Sequence, residues 1–377
     1  MLKNVLILTN EYYPFKGGIG RYCEEVIREI KDDFSVTLVA PSYDGSLRGH
    51  KLSDGLNLNL IGGGQFKYWH FPALINKIMS IDFSKYDKVL VADWPFWIAL
   101  CFVNRYLPWK KTIGFSLMLH GSEVLNLKNG KASVFPKFIN IFHGVKNIYT
   151  NSNYTKDILF LHHKVPVNIP VEVTYLGVSQ SDNLSNETYK ENVDDSALEL
   201  LSVGRLDDRK GYDHVINSIG LLQQDVRETI NYTIVGNGTD EFKSQLKSLA
   251  DKQDVRIHIL SGISDEELDR IYLRSHIFIL AAKENERKIE GFGLVFLEAA
   301  KYGVPSIATD VGAIKEVVKH GMTGFVVKEK VEDISQAISC CYNDRGQLKI
   351  FSDNCISNVK NYKWSTLVRK VFRDLYA

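Results

Sequence analysis

Short apolar runs alternate along this chain with amphipathic stretches. Asn4–Thr9, Val36–Ala40, Lys88–Ala92, Ile113–Leu119 and Asn147–Thr150 read as strands. Helices are expected between them near Gly18–Lys31, Pro95–Tyr106, Phe135–Phe142 and Ser152–His162. The second half repeats the pattern. Leu198–Val203, Asn231–Val235, Val255–Ile259, Ser275–Ala281 and Gly303–Asp310 read as strands. Gly211–Leu222, Asp240–Ala250, Leu294–Tyr302 and Val311–Val318 read as helices, and Ser264-Asp-Glu-Glu267 opens another with a capping-box spacing. A last amphipathic helix runs from Lys363-Trp364-Ser365 to Tyr376. Strand–helix alternation predicts an α/β chain with parallel sheets, because parallel neighbours need long crossovers.

At 377 residues the chain exceeds one typical domain, so two are expected. Residues 179–196 are rich in Ser, Asn, Asp and Glu and read as a linker between residues 1–178 and 197–361. No repeat and no low-complexity tract interrupts this plan.

No segment is long and apolar enough to span a bilayer. The most apolar stretch, Trp94–Val103, has only ten residues and contains a proline. The N-terminus, Met1–Thr9, reads as a first strand and not as a leader. Five cysteines without metal-site spacing suit a reducing cytoplasm. Net charge is +1, unevenly spread: residues 1–180 hold 20 Lys/Arg against 14 Asp/Glu, and the remainder 26 against 31. Trp69, Trp94, Trp97 and Trp109 all lie in the basic half. Phe66-Lys-Tyr-Trp69 and Trp109-Lys-Lys111 are aromatic-basic clusters suited to peripheral contact with an anionic membrane.

The most informative candidate chemistry is Glu290-Gly-Phe-Gly-Leu-Val-Phe-Leu-Glu298. Gly291-Phe292-Gly293 lets backbone approach a ligand. The helix beginning at Leu294 would aim its free N–H groups at an anion such as a sugar diphosphate. Leu294 and Glu298 share a helical face, so Glu298 can reach a ligand held at that helix start. Glu290, just before the helix, is placed to meet the sugar. The plainer alternative is a pair of surface acids on an ordinary helix.

Gly204-Arg205-Leu-Asp-Asp-Arg209-Lys210-Gly211 follows the first strand of the second half. Arg205 and Lys210 suit a diphosphate there, and Arg209 is expected to point elsewhere. Gly17-Gly18-Ile-Gly20 opens the first helix, and Gly236-Asn237-Gly238 follows a strand; neither completes a dinucleotide fingerprint. His120 ends an apolar strand, where it can bond a sugar hydroxyl. No Asp-X-Asp occurs, so a metal-bridged diphosphate is not expected and Arg205 with Lys210 would supply the countercharge.

Together these residues resemble the family 4 retaining glycosyltransferases of the GT-B fold (glycosyltransferase group 1, mannosyltransferase-like branch). The match spans nearly the whole chain and is strongest from Ser202 to Val327. It implies two Rossmann-like doubly wound parallel-sheet domains facing across a cleft, with residues 362–377 crossing back onto the N-terminal domain. It also implies a nucleotide-sugar donor held mostly by the C-terminal domain and an acceptor held by the N-terminal one. Glu298 would bind ribose. Arg205 and Lys210 would neutralise the diphosphate, aided by Gly17, Gly18, Gly204 and the Leu294 N–H. Glu290, Gly291, Phe292 and Gly293 would hold the sugar, with Asn237, Gly238 and Ile263 completing the donor site. His120, Glu290, Arg205 and Lys210 would carry the chemistry, with no cofactor and no metal. One departure is the long charged segment Ala282–Ile289 before Glu290.

The expected activity is transfer of a hexosyl group from a GDP- or UDP-sugar to a lipid-linked or glycan acceptor in bacterial surface polysaccharide synthesis. The cytoplasm, at the inner face of its membrane, is the expected place, and no nucleic-acid partner is expected. A soluble acceptor, a sugar-nucleotide epimerase and a non-catalytic sugar-nucleotide binder are the alternatives.

Overall fold

The computed structural model describes residues 2–12, 17–41, 57–61, 66–107, 112–178, 197–283 and 289–377. The chain divides into two compact units, Met1–Leu176 with Trp364–Ala377, and Gly177–Lys363. The divisions expected from the sequence, after 178 and after 361, differ from these boundaries by two residues each; residues 179–196, read as the linker, lie outside the described residues.

The first unit is built on a seven-stranded sheet of β1 (Asn4–Leu8), β2 (Ser35–Pro41), β3 (Asn57–Ile61), β4 (Lys88–Val91), β5 (Phe115–Leu119), β6 (Val145–Thr150) and β7 (Val171–Val173). Their order across the sheet is β3-β2-β1-β4-β5-β6-β7, parallel throughout. Helices α1 (Gly18–Ile30), α2 (Phe71–Ser80), α3 (Trp94–Tyr106), α4 (Ser122–Asn129) and α5 (Asn153–His162) make the crossovers. The chain winds outward from β1 in one direction and from β4 in the other. That reversal leaves a crevice at the carboxyl ends of these two strands, where open α/β sheets take their ligands.

The second unit repeats the plan with β8 (Leu198–Val203), β9 (Ile230–Val235), β10 (Ile257–Leu260), β11 (Ile277–Leu280), β12 (Ser306–Thr309) and β13 (Gly324–Val327). Their order is β10-β9-β8-β11-β12-β13, again parallel, with the reversal between β8 and β11. Its helices are α6 (Tyr212–Gly220), α7 (Gln224–Arg227), α8 (Asp240–Gln253), α9 (Asp265–Arg274), α10 (Leu294–Lys301), α11 (Ile314–Val317), α12 (Val331–Asn343) and α13 (Arg345–Val359). Ser264 caps α9 by accepting from the Glu267 N–H.

The last helices, α14 (Trp364–Val371) and α15 (Arg373–Tyr376), belong to the first unit. The Trp364 ring lies 6.2 Å from that of Tyr22. Phe34 meets Phe372 and Tyr376, and Lys88 bonds Asp374 at 2.6 Å.

Several elements depart from expectation. Phe135–Phe142 is not an α-helix: a 3-10 segment covers Lys131–Lys137 with Pro136 inside it, and turns follow. Proline has no N–H to extend an α-helical ladder. Val311–Val318 shrinks to the single turn of α11, because Gly312 sits at φ +60°. Trp97, one of the four tryptophans of the basic half, is a core residue: it is fully buried and donates its indole N–H to the Ile141 carbonyl. Trp109-Lys-Lys111 lies outside the described residues.

Candidate active site

In the second unit the chain leaves β8 at Gly204 and forms a tight turn. Asp208–Lys210 is one 3-10 turn, closed by Gly211 at φ +69°. A Cβ on Gly211 would stand 1.7 Å from the Ala281 carbonyl, so only glycine lets this turn press against the end of β11. Lys283, just past that end, binds the turn from outside. Its ammonium lies 2.7 Å from Asp208 and 2.9 Å from Asp213, and its N–H bonds the Arg209 carbonyl at 2.8 Å.

The clamped turn folds Lys210 inward. Its ammonium donates to Glu290 Oε2 at 2.8 Å, and an Arg209 Nη lies 3.5 Å from the same oxygen. Arg209 therefore does not point elsewhere; it converges with Lys210 on Glu290. Burial would raise the Glu290 carboxyl, but Lys210, then Arg209 and Arg205, hold it below the ordinary carboxylate range. Arg205 itself is largely exposed, 4.0 Å from Asp207.

Glu290 is fixed through its backbone as well. Its carbonyl accepts from the Ala313 N–H at 3.0 Å, and a Cβ on Gly312 would stand 2.4 Å from that oxygen. The chain then turns at Gly293, φ +82°, into α10. Phe292 is buried with its ring 6.3 Å from Tyr362. Glu298 is half-buried on α10, with the Tyr272 hydroxyl 3.5 Å from its Oε2. Asn237 and Gly238 are exposed after β9, and the Asn237 carbonyl accepts from the Leu206 N–H at 2.8 Å. Ile263, half-buried, precedes α9. Gly204, Arg205, Lys210, Asn237, Ile263 and Glu290 thus follow the carboxyl ends of four neighbouring strands, and Leu294 opens the helix beside them. Together they offer cationic groups, helix N–H groups and two glutamates, a set suited to a diphosphate bearing hydroxylated rings.

In the first unit, Gly17 and Gly18 open α1. The Ile19 N–H is taken by the Glu11 carboxylate at 3.2 Å. Gly18 is exposed, and a Cβ there would meet nothing among the described residues within 4 Å. His120 follows β5. Burial pushes its imidazole down to about 4, against a hydrogen bond to the Ala92 carbonyl. Among the described residues the enclosed Nε2 has no partner, so Nδ1 carries the proton given to Ala92 and Nε2 is left as an acceptor. The ring meets Tyr22 edge-on at 5.0 Å.

Asp93, one residue beyond Ala92, is not among the residues that the sequence motifs single out. It is 4% exposed; Oδ2 accepts from the Asn10 N–H and, at 3.1 Å, from the Thr9 hydroxyl, and Oδ1 is enclosed as well. Burial pushes its carboxyl up to about 7, its hydrogen bonds opposing. Its one signal in the sequence is position, an acid directly after an apolar run and before Trp94-Pro95.

Two family models match, glycosyl transferases group 1 over residues 185–361 and glycosyltransferase family 4 over residues 16–181. The chain is 28% identical over 178 residues, 46% of each chain, to the GDP-mannose-dependent alpha-(1-6)-phosphatidylinositol monomannoside mannosyltransferase of Mycobacterium tuberculosis. Anabaena HepE, solved with UDP and glucose, superimposes with TM-score 0.77 over 99% of both chains at 14% identity. WaaG, a glycosyltransferase involved in lipopolysaccharide biosynthesis, does so with TM-score 0.71, covering 98% of this chain and 99% of its own at 16% identity.

Proposed function

From the premise that the chain belongs to glycosyltransferase family 4 and has the GT-B fold, we propose that it transfers a hexosyl group from a GDP- or UDP-sugar, with retention, to a lipid-linked or glycan acceptor of a bacterial surface polysaccharide. The observation that carries the donor reading is the convergence of Lys210 and Arg209 on Glu290 at the end of β8. The relatives support the rest by analogy: one uses GDP-mannose on a phosphatidylinositol glycolipid, one was solved with UDP, and one serves lipopolysaccharide synthesis.

In this reading the diphosphate enters beside Lys210, Arg209 and Arg205, and the N–H groups at Leu294 face it. Lys210 then shares its charge between Glu290 and phosphate. Three cations meet the charge that grows on the leaving diphosphate, so no metal is required. Glu290 accepts hydrogen bonds from the sugar hydroxyls, and Glu298 from the ribose. The acceptor hydroxyl attacks the anomeric carbon on the face the diphosphate leaves, and a departing phosphate oxygen takes its proton. Neutral His120 accepts from a sugar hydroxyl through Nε2. The first unit, with Asp93 and His120 just past the carboxyl ends of β4 and β5, receives the acceptor.

Thermal shift against UDP, GDP, ADP and their sugar conjugates tests this reading, with Glu298→Ala as control. A nucleotide that stabilises the wild type and not the variant is expected, and it names the base. No stabilisation by any of them would overturn the donor site.

A further inference from the structure

The first unit carries an aromatic surface that the transfer chemistry leaves unused. The Trp94 ring lies 5.2 Å from Phe66 and 6.5 Å from Phe135, and Phe71 stacks on Phe135 at 5.3 Å. These contacts join the segment before α2, the helices α2 and α3, and the 3-10 segment Lys131–Lys137 into one face. Its outermost groups stand in solvent: Trp69 is 71% exposed and Phe138 68%. Such large apolar groups clustered at a surface mark a contact site.

Charge decides the partner. Residues 66–81, 94–107 and 129–142, which build this face, contain Lys67, Lys77, Arg105, Lys131 and Lys137 and no Asp or Glu. The Lys67 ammonium lies over the Trp69 ring at 5.1 Å, and the Arg105 guanidinium is 5.7 Å from the Tyr106 ring. Aromatic rings interleaved with lysines, in segments that carry no acid, match the headgroup zone of a bilayer. There Trp and Tyr rings settle at the boundary of acyl chain and water, and anionic lipids draw the cations. A protein partner would need an acidic apolar surface of its own, and nothing on this face selects one shape.

We propose that this face, from Trp69 to Phe138, seats the protein on a membrane surface rich in anionic phospholipid. The proposal rests on the lipid-linked acceptor reading for its role, since it would bring the first unit to the surface where such an acceptor resides. It needs no covering segment and no insertion across the bilayer; among the described residues no helix is long and apolar enough to cross one.

Sedimentation of the full chain with phosphatidylcholine vesicles, with and without phosphatidylglycerol, tests it. Partitioning at least about tenfold stronger onto the anionic vesicles is expected, falling steeply between about 50 and 500 mM salt. Trp69→Ser with Phe138→Ser, and separately Lys67→Glu with Lys137→Glu, should each lower it about tenfold or more. Both variants should keep the wild-type melting temperature and nucleotide-induced shift, which report the fold and the second unit. Wild type that ignores anionic vesicles, equal binding to both vesicle types, or folded variants that still bind would overturn the proposal. So would preference for a single-stranded oligonucleotide over vesicles through the same residues. Vesicle binding without any nucleotide shift would keep this surface and sink the donor-site reading instead.

Discussion

The Lys210 ammonium and the Glu290 carboxylate are joined at 2.8 Å, with side chains only 10% and 14% exposed. A phosphate-binding lysine and a sugar-binding glutamate are therefore one charged unit before any donor arrives. Lys210→Ala removes a charge-assisted contact of about 1.5–3 kcal/mol, so donor affinity should fall about 10- to 150-fold. Glu290→Gln should behave differently. It leaves both cations free for phosphate, so nucleoside-diphosphate binding should hold within about threefold while kcat falls about a hundredfold. Isothermal titration and steady-state kinetics read the two effects. Unchanged kinetics in Lys210→Ala would remove Lys210 from the site.

Lys283 touches neither Lys210 nor Glu290, yet it grips Asp208 and Asp213 on either side of the basic pair. Its two acids hold the ammonium above the usual lysine range, against burial. Lys283→Ala should loosen the turn and weaken binding of a nucleoside diphosphate about tenfold, while the nucleoside alone binds as before. Lys283→Arg should recover most of the loss. Equal weakening of nucleoside and diphosphate would make Lys283 a general stabiliser and not a positioning residue.

Asp93 supplies a pH signature. Its carboxyl is raised by burial from 3.8 to about 7, so its contribution to stability is fully present below about pH 4, falls from there, and is gone once pH has risen through 7; part of it is already lost at pH 5. A rise of that size above the ordinary aspartate value corresponds to about 4 kcal/mol. Glu123, also raised by burial, acts with the same sign. Urea midpoints at pH 5 and pH 8 should show wild type losing stability on the alkaline side and Asp93→Asn losing less. A gap between the two proteins that stays constant across this range would show Asp93 ionised throughout.

The strands at the sheet centres are legible in the sequence, because runs such as Val5–Leu8 and Ile277–Leu280 are apolar without a break. The edges are not. β7 has three residues and β13 starts at a glycine, too short for a pattern to show. In the site, Glu290, Lys210 and the Gly293 turn stand out by spacing and residue type. Arg209 does not, because its direction depends on Gly211 closing a 3-10 turn against Ala281, a contact 70 residues away in the chain. Asp93 escapes notice because nothing in an acid's neighbours reports that a strand end will be sealed from water.

Two glycines separate crowding by the fold from crowding by a ligand. Gly312 has φ +60°, and an added Cβ would sit 2.4 Å from the Glu290 carbonyl. Gly312→Ala should therefore cost about 2 kcal/mol of stability and displace Glu290, lowering kcat. Gly18 opens α1, and its added Cβ would meet no atom of the described residues within 4 Å. Gly18→Ala should leave the melting temperature within about 2 °C of wild type, since the fold has room for the methyl group. If the donor diphosphate lies against this helix start, the same methyl group displaces it, and transfer should fall about tenfold or more with the fold intact. Wild-type kinetics in Gly18→Ala would place the donor away from α1 and leave its binding to the second unit alone.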